Sequence, residues 1–254
     1  MPTVSASYMV KNEAEYLPFS IRSIYDAVDE IIVVDNGSTD NSDKIARQFD
    51  KVKLYYSDAG DFSTLRNLTI DRSGGDWILV MCADEVFYDD INAVLPGLLK
   101  DPDADAYTCW YYHLMRSFYY MQNRTDQDPK YHRIFLFRKM PGARYVRPVH
   151  QYLTGIGPNI KESNLHYVHY GYVKQLHQIH ERWKLYARLE GTPGAYDQLD
   201  PEHLLDDRPL YPFLREHPEA IRDYTEARAQ EMVRQGHKLF RRPPRIIDPE
   251  AETP

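Results

Sequence analysis

The densest chemistry in the chain is Asp84-Glu85, two acids that follow directly on Trp77 to Ala83, the longest uninterrupted apolar run. A carboxylate at the end of a buried strand is placed to ligate a hard divalent cation together with substrate phosphates, and Asp84 is the first candidate. The same two acids would also serve to cap a following helix or to solvate a loop. Their neighbours decide between these readings. Asn12-Glu13 follows one earlier β-type run and Asp35-Asn36-Gly37-Ser38-Thr39-Asp40 follows another, so three strands deliver acids or amides to one edge. A carboxylate there can accept a hydrogen bond from a ribose hydroxyl or from the imide N–H of a pyrimidine. Neither G-x-G-x-x-G nor a Walker sequence occurs, so no glycine-rich loop cradles phosphates, and a diphosphate bound here calls for a metal.

Alternating elements must position these side chains. Val4 to Val10, Ile31 to Val34, Val52 to Tyr56 and Trp77 to Met81 read as strands. Between them, helical patterns run from Glu15 to Val28, through Ile45, Ala46 and Phe49, and from Ser63 to Ser73, the last ended by Gly74-Gly75. This rhythm predicts an α/β, Rossmann-like architecture: a mixed, mostly parallel sheet flanked by helices. After residue 100 the aromatic stretches Tyr107 to Tyr120 and Tyr131 to Arg138 predict antiparallel strands that complete the sheet. A strand at Leu165 to Tyr172 and a helix from Val173 to Leu189 follow, closed by Gly191 and Pro193. The expected division is a main domain over 1–191 and a C-terminal helical appendage over 192–254, whose short helices are broken by prolines.

The composition excludes several classes. With 254 residues, 43% apolar and 27% charged, the chain can bury a real core, and a net charge of −7 exerts no general pull toward nucleic acid or acidic membranes. The longest apolar run falls far short of the ~20 residues that span a bilayer, and the N-terminus lacks a basic segment followed by an apolar one. Cys82 and Cys109 form neither a disulfide framework nor a C-x-x-C pair, so the expectation is a cytoplasmic protein without signal peptide or transmembrane segment. The sequons at Asn67 and Asn123 are then chance matches. Arg228 to Arg245 carries six basic residues against one acid. It reads as a solvated helical face or as a peripheral contact with an anionic surface. Tyr107, Trp110, Tyr111, Tyr112, Phe118, Tyr119 and Tyr120 suggest an aromatic platform for sugar rings, although alternation along a strand turns half of them into the core.

Four segments carry a resemblance. Tyr8-Met9-Val10-Lys11-Asn12-Glu13, Val28 to Asp40, Phe62-Ser63-Thr64-Leu65-Arg66-Asn67, and Gly75 to Leu79 leading to Cys82-Ala83-Asp84-Glu85 resemble, in order and spacing, the family 2 glycosyltransferases of the GT-A fold. Within them the chain looks like the branch related to lipopolysaccharide-core and peptide glucosyltransferases. The likeness covers residues 3 to about 90 and continues more thinly through His132 to Arg138, Val149-His150 and His169-Tyr170-Gly171-Tyr172. It implies metal-dependent, inverting transfer of a sugar from a nucleotide diphosphate sugar, UDP-linked, to an acceptor hydroxyl on a glycan, lipid-linked sugar, protein or nucleic acid. Glu13 and Asp35 would contact the nucleoside, Arg66 the nucleotide, and Asp84 a Mn²⁺ or Mg²⁺ ion as the last acid of the D-x-D motif, with His150 and His169 returning to the metal. Cys82 stands where that motif has its first acid. A thiol is a poor ligand for Mg²⁺ and a tolerable one for Mn²⁺ or Zn²⁺, and it also reads as a small buried residue closing the strand. Inverting transfer needs a base for the acceptor's proton, for which Glu85 and His150 are the candidates, with Asp126 and Asp128 in reserve. Gln151 occupies a position where many relatives carry an acid. A nucleotidyltransferase is the second enzyme reading, against which the missing phosphate loop argues. A catalytically silent nucleotide-sugar or glycan-binding module is the rival from another class.

Overall fold

Val4, Ala6, Tyr8 and Val10 alternate with Ser5, Ser7 and Met9, and an extended backbone turns the two sets to opposite faces. In the computed structural model, which describes residues 1–123 and 129–240, they form β1 (Val4–Val10). Parallel to it lie β2 (Glu30–Asp35) on one side, followed by β3 (Val52–Tyr56), and β4 (Trp77–Cys82) on the other. The register pairs Val10 with Asp35 and Met9 with Cys82, so Glu13, Asp35 and Asp84 leave the sheet at one carboxyl edge.

Three helices connect these strands: α1 (Leu17–Ile24), α2 (Ser42–Ala46) and α3 (Phe62–Arg72). The first is shorter than its periodicity suggests because Tyr25–Ala27 tightens into a 3-10 turn before β2. Asp61 caps α3 by accepting from the Thr64 amide at 2.8 Å. Beyond β4 come β5 (Glu85–Phe87) and α4 (Ile91–Leu98). α1 and α4 cover the face that carries Ala6, Tyr8, Trp77, Leu79 and Met81, while Ile70 of α3 packs on Ile78 and Val80 from the other side. Small residues on that second face let α3 approach closely: the Ser7 and Thr69 hydroxyls lie 2.5 Å apart.

The aromatic half supplies β6 (Ala106–Met115), β7 (Tyr120–Met121) and β8 (His132–Arg138), then the small hairpin β9 (Arg144–Val146) and β10 (Tyr152–Thr154), and β11 (Ile160–Tyr172). β8 runs antiparallel between β4 and β6, as expected. β11 starts five residues earlier than the apolar pattern predicts, because the exposed stretch Ile160–Glu162 is held by its parallel ladder to Ala106–Thr108. Asn164, at φ 58°, lies within the register shift that follows.

The chain ends in α5 (Leu176–Leu189), the short β12 (Tyr211–Pro212) paired with β7, and α6 (Arg222–Arg234). Phe213, Ile221, Ala229 and Phe240 share a cluster with Tyr16, Val86, Tyr112, Phe118 and Tyr170, so the segment after residue 192 is packed on the sheet. Among the described residues one ten-stranded sheet runs in the order β12-β7-β6-β8-β4-β1-β2-β3, with β11 on β6 and β5. No described helix is long and apolar enough to cross a membrane.

Candidate functional site

The polar loop after β2 acts on the loop after β1. Ser38 accepts from the Asn12 amide at 3.0 Å, Asn12 accepts from the Thr39 amide at 2.7 Å, Ser42 accepts from the Glu13 amide at 2.8 Å and Asp40 accepts from the Ala14 amide at 3.0 Å. Glu13 is thereby held over the sheet edge. Gly37, at φ 72°, makes the turn that returns the Ser38 amide to Asp35 Oδ1 at 2.8 Å. Asp35 is 2% exposed, and its second oxygen, Oδ2, is buried without a hydrogen-bond partner. A buried acceptor left unpaired is costly, which makes Oδ2 a ready partner for an incoming N–H or O–H.

Asp84 lies in the turn between β4 and β5, where its carbonyl accepts from the Tyr170 amide at 2.8 Å. Its Oδ2 is 2.7 Å from the Lys174 ammonium, which also donates at 2.5 Å to each oxygen of Glu13. Arg182 adds Nη1 at 3.6 Å from Asp84 Oδ2, while its Nη2 donates to the Gly171 carbonyl at 2.8 Å. On the other oxygen of Asp84, His169 Nε2 stands at 3.5 Å, and His169 Nδ1 meets His113 Nδ1 at 2.9 Å. Gly171 is required by this crowding: a Cβ there would fall 2.6 Å from His169 Nε2 and 2.9 Å from Asp84 Oδ2.

The electrostatics follow the geometry. Burial opposes ionisation of Asp84, but Lys174, His169 and Arg182 hold its carboxyl well below the usual carboxylate range. Burial, reinforced by the Asp84 charge and opposed by Lys174, pushes Glu13 up to about 7. Lys174 is raised, because Asp84 and Glu13 overcome the burial that disfavours its charge. Burial, with His169 and Arg182 adding to it, holds His113 well below the ordinary histidine value, so its ring is neutral at pH 7.

Several expected site residues are placed elsewhere or do other work. Arg66 is 2% exposed, and its Nη1 donates to the carbonyls of Ser7 (2.9 Å) and Met81 (3.0 Å), pinning β1 to β4 from below. These contacts give it a structural role beneath the sheet edge. Glu85 turns away from the edge, where its Oε2 accepts from the Cys82 amide at 2.8 Å and pairs with Arg133 Nη2 at 2.5 Å. A carboxylate committed to a sheet ion pair is not free to take an acceptor's proton, so the reading of Glu85 as base is corrected. His150 is exposed and pairs with Glu190 at 2.9 Å. Its ring also meets Tyr186 edge-on at 5.8 Å, so its partners are on the C-terminal part of α5 and just beyond it, past Arg182, the residue of that helix that meets Asp84. It is placed neither as a metal ligand nor as a base at Asp84. Asp126 and Asp128 lie outside the described residues. Most of the aromatic run is engaged in packing: Tyr111 stacks on Tyr167 at 5.1 Å, Trp110 on His132 at 4.1 Å, and Tyr107, Tyr112 and Phe118 are buried.

The metal shell expected of Asp84, His150 and His169 is not assembled, and no three His, Cys, Asp or Glu side chains converge as a cage among the described residues. The donor set explains why. Burial and the Glu85 charge push the Cys82 thiol up to about 11, so it stays protonated, and its sulfur is 3.6 Å from Arg66 Nη2. The two acids that remain, Glu13 and Asp84, enclose an ammonium. The side chains as placed therefore do not fit a resident divalent cation. Lys174, Arg182 and His113 escaped the sequence reading because no local pattern marks them.

Beside Lys174 opens a cavity of about 900 Å³ walled by Tyr16, Phe118, Tyr172, Arg228, Met232 and Phe240. It lies between the sheet edge and the C-terminal segment.

Residues 9–152 match the family model described as Glycosyl transferase family 2. A TPR repeat-containing protein of Synechococcus elongatus is 37% identical over 151 residues, 59% of this chain and 35% of its own length. An uncharacterized glycosyltransferase of Rickettsia felis is 31% identical over 133 residues, 51% of this chain and 44% of its own. The chain thus spans less than half the length of these curated relatives. The crystal structure of S. aureus TarS 1-349 superposes with a TM-score of 0.48 at 13% identity, over 79% of this chain and 68% of that one.

Proposed function

The chain belongs to glycosyl transferase family 2, and we propose from this that it moves a sugar from a nucleotide diphosphate sugar, UDP-linked, to an acceptor hydroxyl with inversion. The observation that carries the reading is Asp35, a buried carboxylate at the strand edge with one oxygen satisfied by the Ser38 amide and the other unpaired. That oxygen would accept the imide N–H of a uracil, and Glu13, which keeps lone pairs beyond those used by Lys174, would accept from the ribose.

In the reaction so read, the acceptor oxygen bonds to the anomeric carbon while the bond from that carbon to the diphosphate breaks. The acceptor's proton passes to a water molecule, and the diphosphate leaves with the electron pair. The charge that grows on the diphosphate calls for preorganised positive groups at the edge near Asp84. In this reading the acceptor would approach through the cavity beside Lys174, from the side of the C-terminal segment. The cavity wall carries charges of both signs, Glu15, Asp200 and Glu202 beside Arg116, Arg228 and Lys238, which suits a polar acceptor.

A thermal-shift series with UDP, GDP, CDP and dTDP sugars, each with and without Mn²⁺ or Mg²⁺, tests the reading, since a ligand selective for the native state raises apparent stability. Stabilisation by the UDP family ahead of the others is the expected result. No stabilisation by any nucleotide sugar overturns it, and binding without transfer or slow donor hydrolysis favours a silent module.

A further inference from the structure

We propose that the resident cation of this site is the Lys174 ammonium, assisted by Arg182, and that these side chains meet the donor diphosphate in place of a divalent metal ion. The inference rests on the nucleotide-diphosphate reading of the site and adds what neutralises that group. Three observations converge on it. First, Lys174 Nζ stands where a cation bridging the two strand-end acids would stand, 2.5 Å from both oxygens of Glu13 and 2.7 Å from Asp84 Oδ2, with its side chain 8% exposed. Second, the other oxygen of Asp84 faces His169 at 3.5 Å and the Gly171 backbone packs against both side chains, so the position that bridges Glu13 and Asp84 is the one the ammonium already holds. Third, Arg182 reaches the same carboxylate with Nη1 while its Nε is buried without a partner, an unsatisfied cationic donor within the cluster. Two acids thus already face two fixed cations, and Lys174 would repel a divalent ion at short range. Both cations come from one short stretch of chain: Lys174 just ahead of α5 and Arg182 within it.

Isothermal titration separates this inference from the reading on which it stands. Mn²⁺ alone is titrated first into wild type and K174M, with K174Q as a second variant that leaves both acids in place and fills the site with a polar side chain if K174M folds poorly. Wild type should take up no Mn²⁺ at this site, and K174M should gain it, because the two acids then lack a counter-cation. Next, UDP and uridine are titrated in EDTA. Wild type should bind UDP equally well in EDTA and in Mn²⁺. K174M should lose roughly 10–100-fold in UDP affinity while its uridine affinity stays unchanged, and K174R should recover most of the loss. UDP binding that requires Mn²⁺ in wild type overturns the inference, as does Mn²⁺ uptake that K174M does not alter. Gain of Mn²⁺ binding by K174M with no UDP binding by any form supports Lys174 as the resident cation and removes the donor reading instead.

Discussion

Replacing Glu85 by glutamine distinguishes a base from a strut. Glu85 Oε2 receives the Cys82 amide at 2.8 Å and Arg133 Nη2 at 2.5 Å, and the two side chains are 4% and 30% exposed. Arg133 also lies 5.0 Å from the Tyr167 ring, and its Nε is buried without a partner, so Glu85 is its compensating charge. Removing one member of a buried ion pair leaves the other uncompensated and costs about 3 kcal/mol. For a chain of this size that lowers Tm by roughly 6–12 °C. R133M should cost a similar amount. E85Q/R133M should cost less than the sum by about 2 kcal/mol, since neither charge is then stranded. Thermal and urea unfolding measure the stabilities, while UDP affinity and donor hydrolysis per folded molecule measure the site. Both site readouts should stay within about threefold of wild type in the double variant, because the strut is removed as a unit. A loss of turnover of roughly 100-fold or more in E85Q with its melting curve unmoved would refute the argument and restore Glu85 as the proton acceptor.

D35N keeps the oxygen that receives the Ser38 amide but replaces an acceptor by an N–H donor at the unpaired position. UDP binding should weaken roughly 10–100-fold and the preference for UDP over CDP should narrow, because cytosine N3 accepts where uracil N3 donates; unchanged preference in a competition titration would dissociate Asp35 from the base. For Glu13 the sign follows from its raised value. The folded state holds the proton more tightly than the unfolded chain, so this group's contribution to stability is fullest below about 4.5 and falls as pH rises to about 7. Lys174, Asp84 and Arg182 face this group, the shift from 4.5 to about 7 bounds the fall at roughly 3 kcal/mol, and E13Q should flatten it. Urea titrations at a series of pH values check this, and parallel curves for wild type and E13Q would contradict it.

Local pattern made the architecture legible. β1 and β3 have the boundaries that their residues suggest, because alternation of apolar and polar side chains is itself what an extended strand facing a core requires. The strand-end acids Glu13, Asp35 and Asp84 were legible for the same reason, since parallel strands in an α/β sheet must deliver their carboxyl ends to one edge. Where a side chain points within that edge was not legible. Asp84 and Glu85 are adjacent, yet one lies in the turn and meets Lys174 at the edge while the other opens β5 and meets Arg133 in the sheet. The aromatic run carried a similar ambiguity, and contacts such as Tyr111 on Tyr167 resolved it toward packing.

By itself, then, the sequence determined which residues form strands and helices and which acids end the strands, since these depend on neighbours within a few positions. Tertiary structure alone decided the charge partners. Lys174 lies 161 residues from Glu13 and 90 from Asp84, and Glu85 lies 48 from Arg133. No periodicity couples such positions; only closure of the sheet brings them together. Once buried there, each carboxylate must take whatever cation the fold supplies, because an unpaired charge in a low-dielectric interior costs more than the pair.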